Sequence, residues 1–254
     1  VTVRRTVPCY ECARCHRTGE KAAKRYKGNQ TDIVRSYQMS THGKGVIESG
    51  LMSSAVCIDC HTAHLVLPMD APRSSVNPAN LPHTCAKCHR GIYEQFSKSI
   101  HSPEVSKTSE KLPACSDCHT AHNISRVEKD KFQQEVSYQC GSCHKDVAGT
   151  YFQTYHGKAY QLGSRRAAKC SDCHGAHDIL KPSDPGSRLS RANVVTTCGK
   201  CHAGANHRFT GYLTHATHHN RYKYPILYFT FWGMTTLLAG TFVFFGIHTL
   251  LWLP

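Results

Sequence analysis

Seven C-x-x-C pairs, each followed at once by histidine, constrain this chain more than any other feature. Fourteen of the fifteen cysteines stand in them: Cys12/Cys15, Cys57/Cys60, Cys85/Cys88, Cys115/Cys118, Cys140/Cys143, Cys170/Cys173 and Cys198/Cys201. The histidines are His16, His61, His89, His119, His144, His174 and His202. Two thiols three residues apart share one helix face, placed for thioether bonds to the two vinyl groups of a haem. The adjacent histidine then reaches the iron from the same side. C-x-x-C alone would also suit zinc or a disulfide framework. The histidine decides: with 19 in 254 residues, chance adjacency at all seven pairs is on the order of 10⁻⁸. Seven covalently bound c-type haems are therefore expected, with zinc or a disulfide an alternative for a single pair only.

The motifs sit in a repeat. One half-unit is C-x-x-C-H followed by a helical stretch with an aromatic residue and then a second histidine. The other is C-x-x-C-H-x-x-H. Cys85 leads to Cys140, and Cys115 to Cys170, with the same 55-residue period. The copies run about 9–64, 85–122, 140–177 and 198–219, the first carrying a basic insertion and the last being half a unit. Within the first half-unit the two histidines lie 12 residues apart in copies two and three, and 13 in the last. Twelve helical residues span about 18 Å, too far to serve one iron. Nor can the second histidine of C-x-x-C-H-x-x-H travel around the macrocycle in three residues. Each must ligate a different haem from its neighbour, stapling cofactors together.

The repeat supplies His42, His101, His156 and His215 of the first kind, and His64, His122 and His177 of the second. Seven attachment histidines and seven distal ones would fill seven irons as bis-histidine sites. Fully ligated irons leave no position for substrate, so electron carriage is expected rather than catalysis. Imidazole pairs lack the potential-raising effect of methionine, and none of Met39, Met52, Met69 and Met234 holds a repeated position. Low midpoint potentials follow. His207, His218 and His219 crowd the last copy, and His83 has no counterpart in the others.

A formal charge of +14 would suit nucleic acid or a membrane surface. Two propionates on every haem offer a simpler use for those cations, so no nucleic-acid partner is expected. Apolar residues make up 40% and many lie in the C-terminal segment, leaving little ordinary core for residues 1–220. Haems would fill that role. The expected fold is mainly α with much irregular loop, a multihaem cytochrome c wrapped around its cofactors. Residues 65–82 and 180–190 read as loops. Cys9, the odd cysteine, reads as a structural thiol, with a free thiol or an inter-chain partner as the alternatives. Residues 1–8 show no signal peptide, whereas haem attachment takes place outside the cytoplasmic membrane; an export signal is expected to have been removed or to be missing.

Residues 225–254 hold no Asp, Glu, Lys or Arg, more than the ~20 apolar residues that cross a bilayer. Residues 221–254 thus read as one transmembrane anchor in the cytoplasmic membrane, with interface aromatics at Tyr222, Tyr224, Tyr228, Trp232 and Trp252. The haem domain would lie on the periplasmic side. Arg221 and Lys223 then fall outside, against the positive-inside tendency, which a basic segment after Pro254 would repair. Gly233, Gly240 and His248 share one side of this helix, a face suited to a partner helix. His248 has two readings: a ligand of a b-type haem or a quinone-site contact shared with a partner, or an interfacial histidine capped by a carbonyl.

The CSDCHTAH and CSDCHGAH units, the segments at His42 and His101, GYLTHA at His215 and the closing FFGIHTLLWLP resemble a known group. It is the multihaem cytochrome c portion of the membrane-bound cytochrome bc assemblies of metal-reducing and related anaerobic bacteria. The resemblance covers most of the chain. It implies an integral membrane cytochrome b-like or quinone-binding partner, linked to menaquinone, and an extracytoplasmic electron donor or acceptor. Fused relatives continue through further helices, so the b-type partner is expected as a separate subunit or in sequence not included here. The alternative is a multihaem oxidoreductase of nitrogen or sulfur compounds with one open haem site. A filament-forming haem protein is a third reading, which the membrane segment disfavours.

Overall fold

The computed structural model describes residues 7–26, 30, 32–128 and 130–253. The helices run α1 (Val7–His16), α2 (Lys21–Arg25), α3 (Ile33–Met39), α4 (Thr41–Ile47), α5 (Cys57–His61), α6 (Leu81–Ala86) and α7 (Arg90–Phe96). They continue as α8 (Cys115–His119), α9 (Asp130–Cys143), α10 (Lys145–Gln153), α11 (Tyr155–Gln161), α12 (Cys170–His174), α13 (Val194–Gly199) and α14 (Pro225–Leu251). No strand occurs among the described residues. The fold is mainly helical, and apart from α14 the helices are short.

The two half-units place their motifs at opposite ends of helices. In α5, α8 and α12 the motif opens the helix, and its aspartate reaches back to the preceding backbone N–H. Val56 N–H donates to Asp59 Oδ2 (2.8 Å), Ala114 N–H to Asp117 Oδ2 (2.7 Å) and Lys169 N–H to Asp172 Oδ2 (2.8 Å). This carboxylate cap starts a five-residue helix that could not nucleate alone. The motif at Cys12 ends α1 and that at Cys140 ends α9; neither has the aspartate.

After α5, α8 and α12 the chain reverses through a left-handed residue: Thr62 (φ 63°, ψ 169°), Thr120 (φ 63°, ψ 175°) and Gly175 (φ 87°, ψ 172°). That region is essentially glycine's. It turns the x-x-H histidine away from the motif histidine. Thr62 is offset by its Oγ1 donating to the Leu65 carbonyl (2.8 Å). Thr120→Gly is therefore expected to stabilise the loaded protein by about 1 kcal/mol, read as a raised thermal midpoint. Gly175→Thr is expected to do the reverse, because a Cβ there would stand 2.6 Å from Asp178 Oδ1.

The distal histidines of copies one and three start helices. Ser40 caps α4, its Oγ accepting from Gly43 N–H (3.0 Å), and Thr154 caps α11 through Gly157 N–H (3.1 Å). A Cβ on Gly43 would overlap the Tyr37 carbonyl, and one on Gly157 that of Tyr151, so His-Gly is required where the chain folds back. Tyr37 and Tyr151 then tie these helices to the next motif, donating to the carbonyls of Ala55 (2.9 Å) and Ala168 (2.8 Å).

The segments before Cys85 and Cys198 are irregular yet held by one scheme of hydrogen bonds. Asn80 Nδ2 donates to the carbonyls of Pro72 and Ser74, and Asn193 Nδ2 to those of Pro185 and Ser187. Thr84 and Thr197 hydroxyls close the same turns on Ser75 and Arg188.

Little of the protein packs on itself. The buried apolar side chains among the described residues are four alanines, two valines (Val46, Val56) and two tyrosines (Tyr151, Tyr160). A cavity of about 3470 Å³ occupies the middle instead, several times an ordinary ligand pocket. Apart from this body, α14 is 27 residues long, about 40 Å, apolar on all sides and unburied. It is long and apolar enough to cross a membrane. Thr241 and Thr249 return their hydroxyls to the carbonyls four residues back, which satisfies these two donors within the helix.

Candidate functional site

Thirteen of the fourteen paired cysteines, all but Cys201, line the central cavity. So do all seven motif histidines and six of the seven expected distal ones; His64 does not. The imidazoles meet in twos across it. His42 faces His89 (ring centroids 6.1 Å apart), His61 faces His122 (6.0 Å) and His101 faces His144 (6.1 Å). His119 faces His177 (5.9 Å), His156 faces His202 (5.9 Å) and His174 faces His215 (6.2 Å).

These separations share one value although the ring planes differ by 5° to 52°. Rings in contact sit closer, as His218 does on His219 (3.9 Å) and on Phe231 (3.7 Å). A metal–imidazole bond of about 2.0–2.1 Å plus about 1.1 Å from nitrogen to ring centre puts two trans imidazoles about 6.2 Å apart. The gap is one metal ion wide, and rotation of either ring about the shared axis is free. Each pair joins a motif histidine to a distal histidine from another half-unit. His16 and His64 face no imidazole among the described residues, so seven and seven combine as six pairs. No three His, Cys, Asp or Glu side chains among the described residues converge as a bare metal site.

The protonation states suit ligation. Burial first, and a facing imidazole or other cation second, lowers the pKa of His42, His61, His101, His119, His156, His174 and, to about 4, His122. Burial likewise lowers His177 and His215. Neutral imidazole is the form that binds a metal. Two rings are also oriented from behind. His122 Nδ1 meets Gln30 Oε1 at 2.5 Å and His215 Nδ1 meets the Thr150 hydroxyl at 3.1 Å, which leaves Nε2 facing inward in each.

None of the fifteen cysteines forms a disulfide. The first thiols of adjacent motifs approach one another. A hydrogen bond from Cys85 lowers Cys115 to about 7, and one from Cys140 lowers Cys170 to about 6. Cys9 is half-buried, and its thiol hydrogen-bonds to Tyr37 and Cys57. His83 meets Tyr93 at a tilt (ring centroids 5.1 Å apart), while His248 lies along Phe244 and Trp252 on the exposed surface of α14.

Several supporting residues escaped the reading of the sequence alone: Asp59, Asp117 and Asp172, the tethers Tyr37 and Tyr151, and the backing groups Gln30 and Thr150. The first two sets do have a signal, C-x-D-C-H and Y-x-x-[ST]-x-H-G-K. Gln30 and Thr150 have none. No family model matches the chain, and neither a characterised protein nor a solved structure matches it.

Proposed function

We propose that this chain is a membrane-anchored heptahaem c-type cytochrome that carries electrons between a quinone-reactive, cytochrome b-like membrane partner and extracytoplasmic redox partners. The observation that supports it best is the set of six imidazole pairs at 5.9–6.2 Å, each beside its own C-x-x-C. Covalent haem supplies a ferric/ferrous couple at each position. The chain's residues do the rest. Cysteine pairs would fix each macrocycle, and the six imidazole pairs would hold six of the irons closed to substrate. Distal histidines from other half-units hold neighbouring centres at fixed spacing, as an electron relay requires. Arg and Lys side chains offset the propionates. The membrane helix α14 brings the relay to a bilayer, where His248 stands near the Trp252 end as a candidate contact for a b-type haem or quinone.

Intact mass of the purified chain is expected to show seven covalent haems, and a redox titration mostly low midpoints. Far fewer haems, or no peroxidase staining after a denaturing gel, would remove the reading. A reductase with one open iron is the second reading, favoured by His16, which faces no imidazole among the described residues.

A further inference from the structure

Resting on the haem reading above, we infer that His16 and the segment His64–Val66 form half of a ligand-exchange junction, completed by a separate haem-bearing unit. The chain already contains three such junctions. At the first, His42 crosses to His89 while His122 crosses back to His61. At the second, His101 crosses to His144 and His177 back to His119. At the third, His156 crosses to His202, and His215 takes the returning role on His174. Every junction is a two-way trade: the earlier copy gives its first-kind histidine and receives one back, of the second kind at the first two and His215 at the third.

The backbone repeats the trade. Thr41 N–H, just before His42, donates to the Ile124 carbonyl two residues after His122 (2.8 Å). Ile100 N–H, just before His101, donates to the Ile179 carbonyl two residues after His177 (2.8 Å). Val66 is the same position in the first copy. It is 62% exposed where Ile124 and Ile179 are half-buried, and Leu65 beside it is 52% exposed. His64 is exposed and outside the cavity, whereas His122 and His177 are half-buried within it.

The first copy thus presents one imidazole with no iron and one iron position with no second imidazole. These are the two features that a later copy brings to a junction. The far end of a second copy cannot complete them, since His215 serves His174 and His156 serves His202. Two copies meeting face to face, His64 of each on the His16 iron of the other, would leave no high-spin iron in the isolated chain, so the test below separates that arrangement. The occupant must carry a c-type haem short of one axial ligand, which takes His64. It must also offer a histidine to the His16 iron and a backbone N–H to the Val66 carbonyl. Electrons would then pass between the two units at this face.

The test is the spin state of the haem irons, read by electron paramagnetic resonance. In these 254 residues produced alone with haem attached and purified in detergent, six irons are expected low-spin. One is expected high-spin, becoming low-spin when imidazole is added. His64→Ala should leave that count unchanged, and His122→Ala should open a second iron. In assemblies extracted in mild detergent from the cells that make the protein, no high-spin iron is expected, and additional c-type haem should co-migrate with the chain. There His64→Ala should open one iron. Seven low-spin irons in the isolated chain, reduced to six by His64→Ala, would mean that His64 of this chain or of a second copy closes the His16 site, and would overturn the inference. An iron that stays open in the intact assembly would overturn it in favour of the reductase reading. Failure of the underlying haem reading looks different: the haem count by mass falls short of seven.

Discussion

Produced where haem cannot be attached, the chain is expected to lose nearly all ordered structure outside α14. Its buried apolar side chains are few, and half of them are alanines; the fully buried ones are serines. The surface left to solvent is 18419 Å², against about 11,000 Å² for a compact monomer of this mass. The excess includes the bare surface of α14 and the walls of a cavity lined by paired thiols and imidazoles. Burial of those walls against macrocycles is what ordinary side chains would otherwise provide, and it is available only to the folded, loaded state. Far-UV circular dichroism in detergent should therefore fall to roughly the signal of one 27-residue helix, and limited proteolysis should leave a fragment containing α14. A cooperative thermal transition in the haem-free protein would contradict the role given to the cofactors as core.

How far the sequence carried the fold depends on the range of the interaction concerned. The motifs are local, so Cys57–His61 or Cys170–His174 can be read from five letters. The three-residue gap between His174 and His177 already excludes a shared iron. The apolar run 225–251 has no charge to interrupt it. Which imidazole opposes which is another matter. His61 and His122 are 61 residues apart, and their meeting depends on the turn at Thr120 and on contacts between copies. Nothing in the alternation of C-x-x-C-H and x-x-H says that ligands are traded in both directions, or that His215 stands in for a missing x-x-H. Nor does a count of seven against seven indicate that His16 and His64 face no imidazole among the described residues. The segments before Cys85 and Cys198 read as irregular loop from their Pro, Ser and Gly content, and they are irregular. What that content does not show is that Asn80 and Asn193 spend their amides on two carbonyls each.

His122→Ala is expected to convert one iron, that held by Cys57, Cys60 and His61, from low to high spin while the haem count stays unchanged. His122 arrives from the second copy, 6.0 Å from His61, with its Nδ1 held on Gln30 and its neutral form favoured by burial. Its loss removes an axial bond and one of the two ligands traded between copies one and two, so unfolding should also begin at a lower temperature. Cavity loss alone would move the thermal midpoint without the spin state, which separates ligation from packing. His122→Met tests the same position with a different donor. A thioether in place of imidazole should keep the iron low-spin and raise a single midpoint, by on the order of 100 mV, because Met/His ligation favours the ferrous form. His83→Ala is the control. His83 meets Tyr93 at a tilt, faces no imidazole among the described residues and has no counterpart in the other copies, so neither spectrum nor potential should change. An unchanged spectrum for His122→Ala as well would break the link between a 6 Å imidazole pair and a ligated iron, on which the assignment of all six pairs depends.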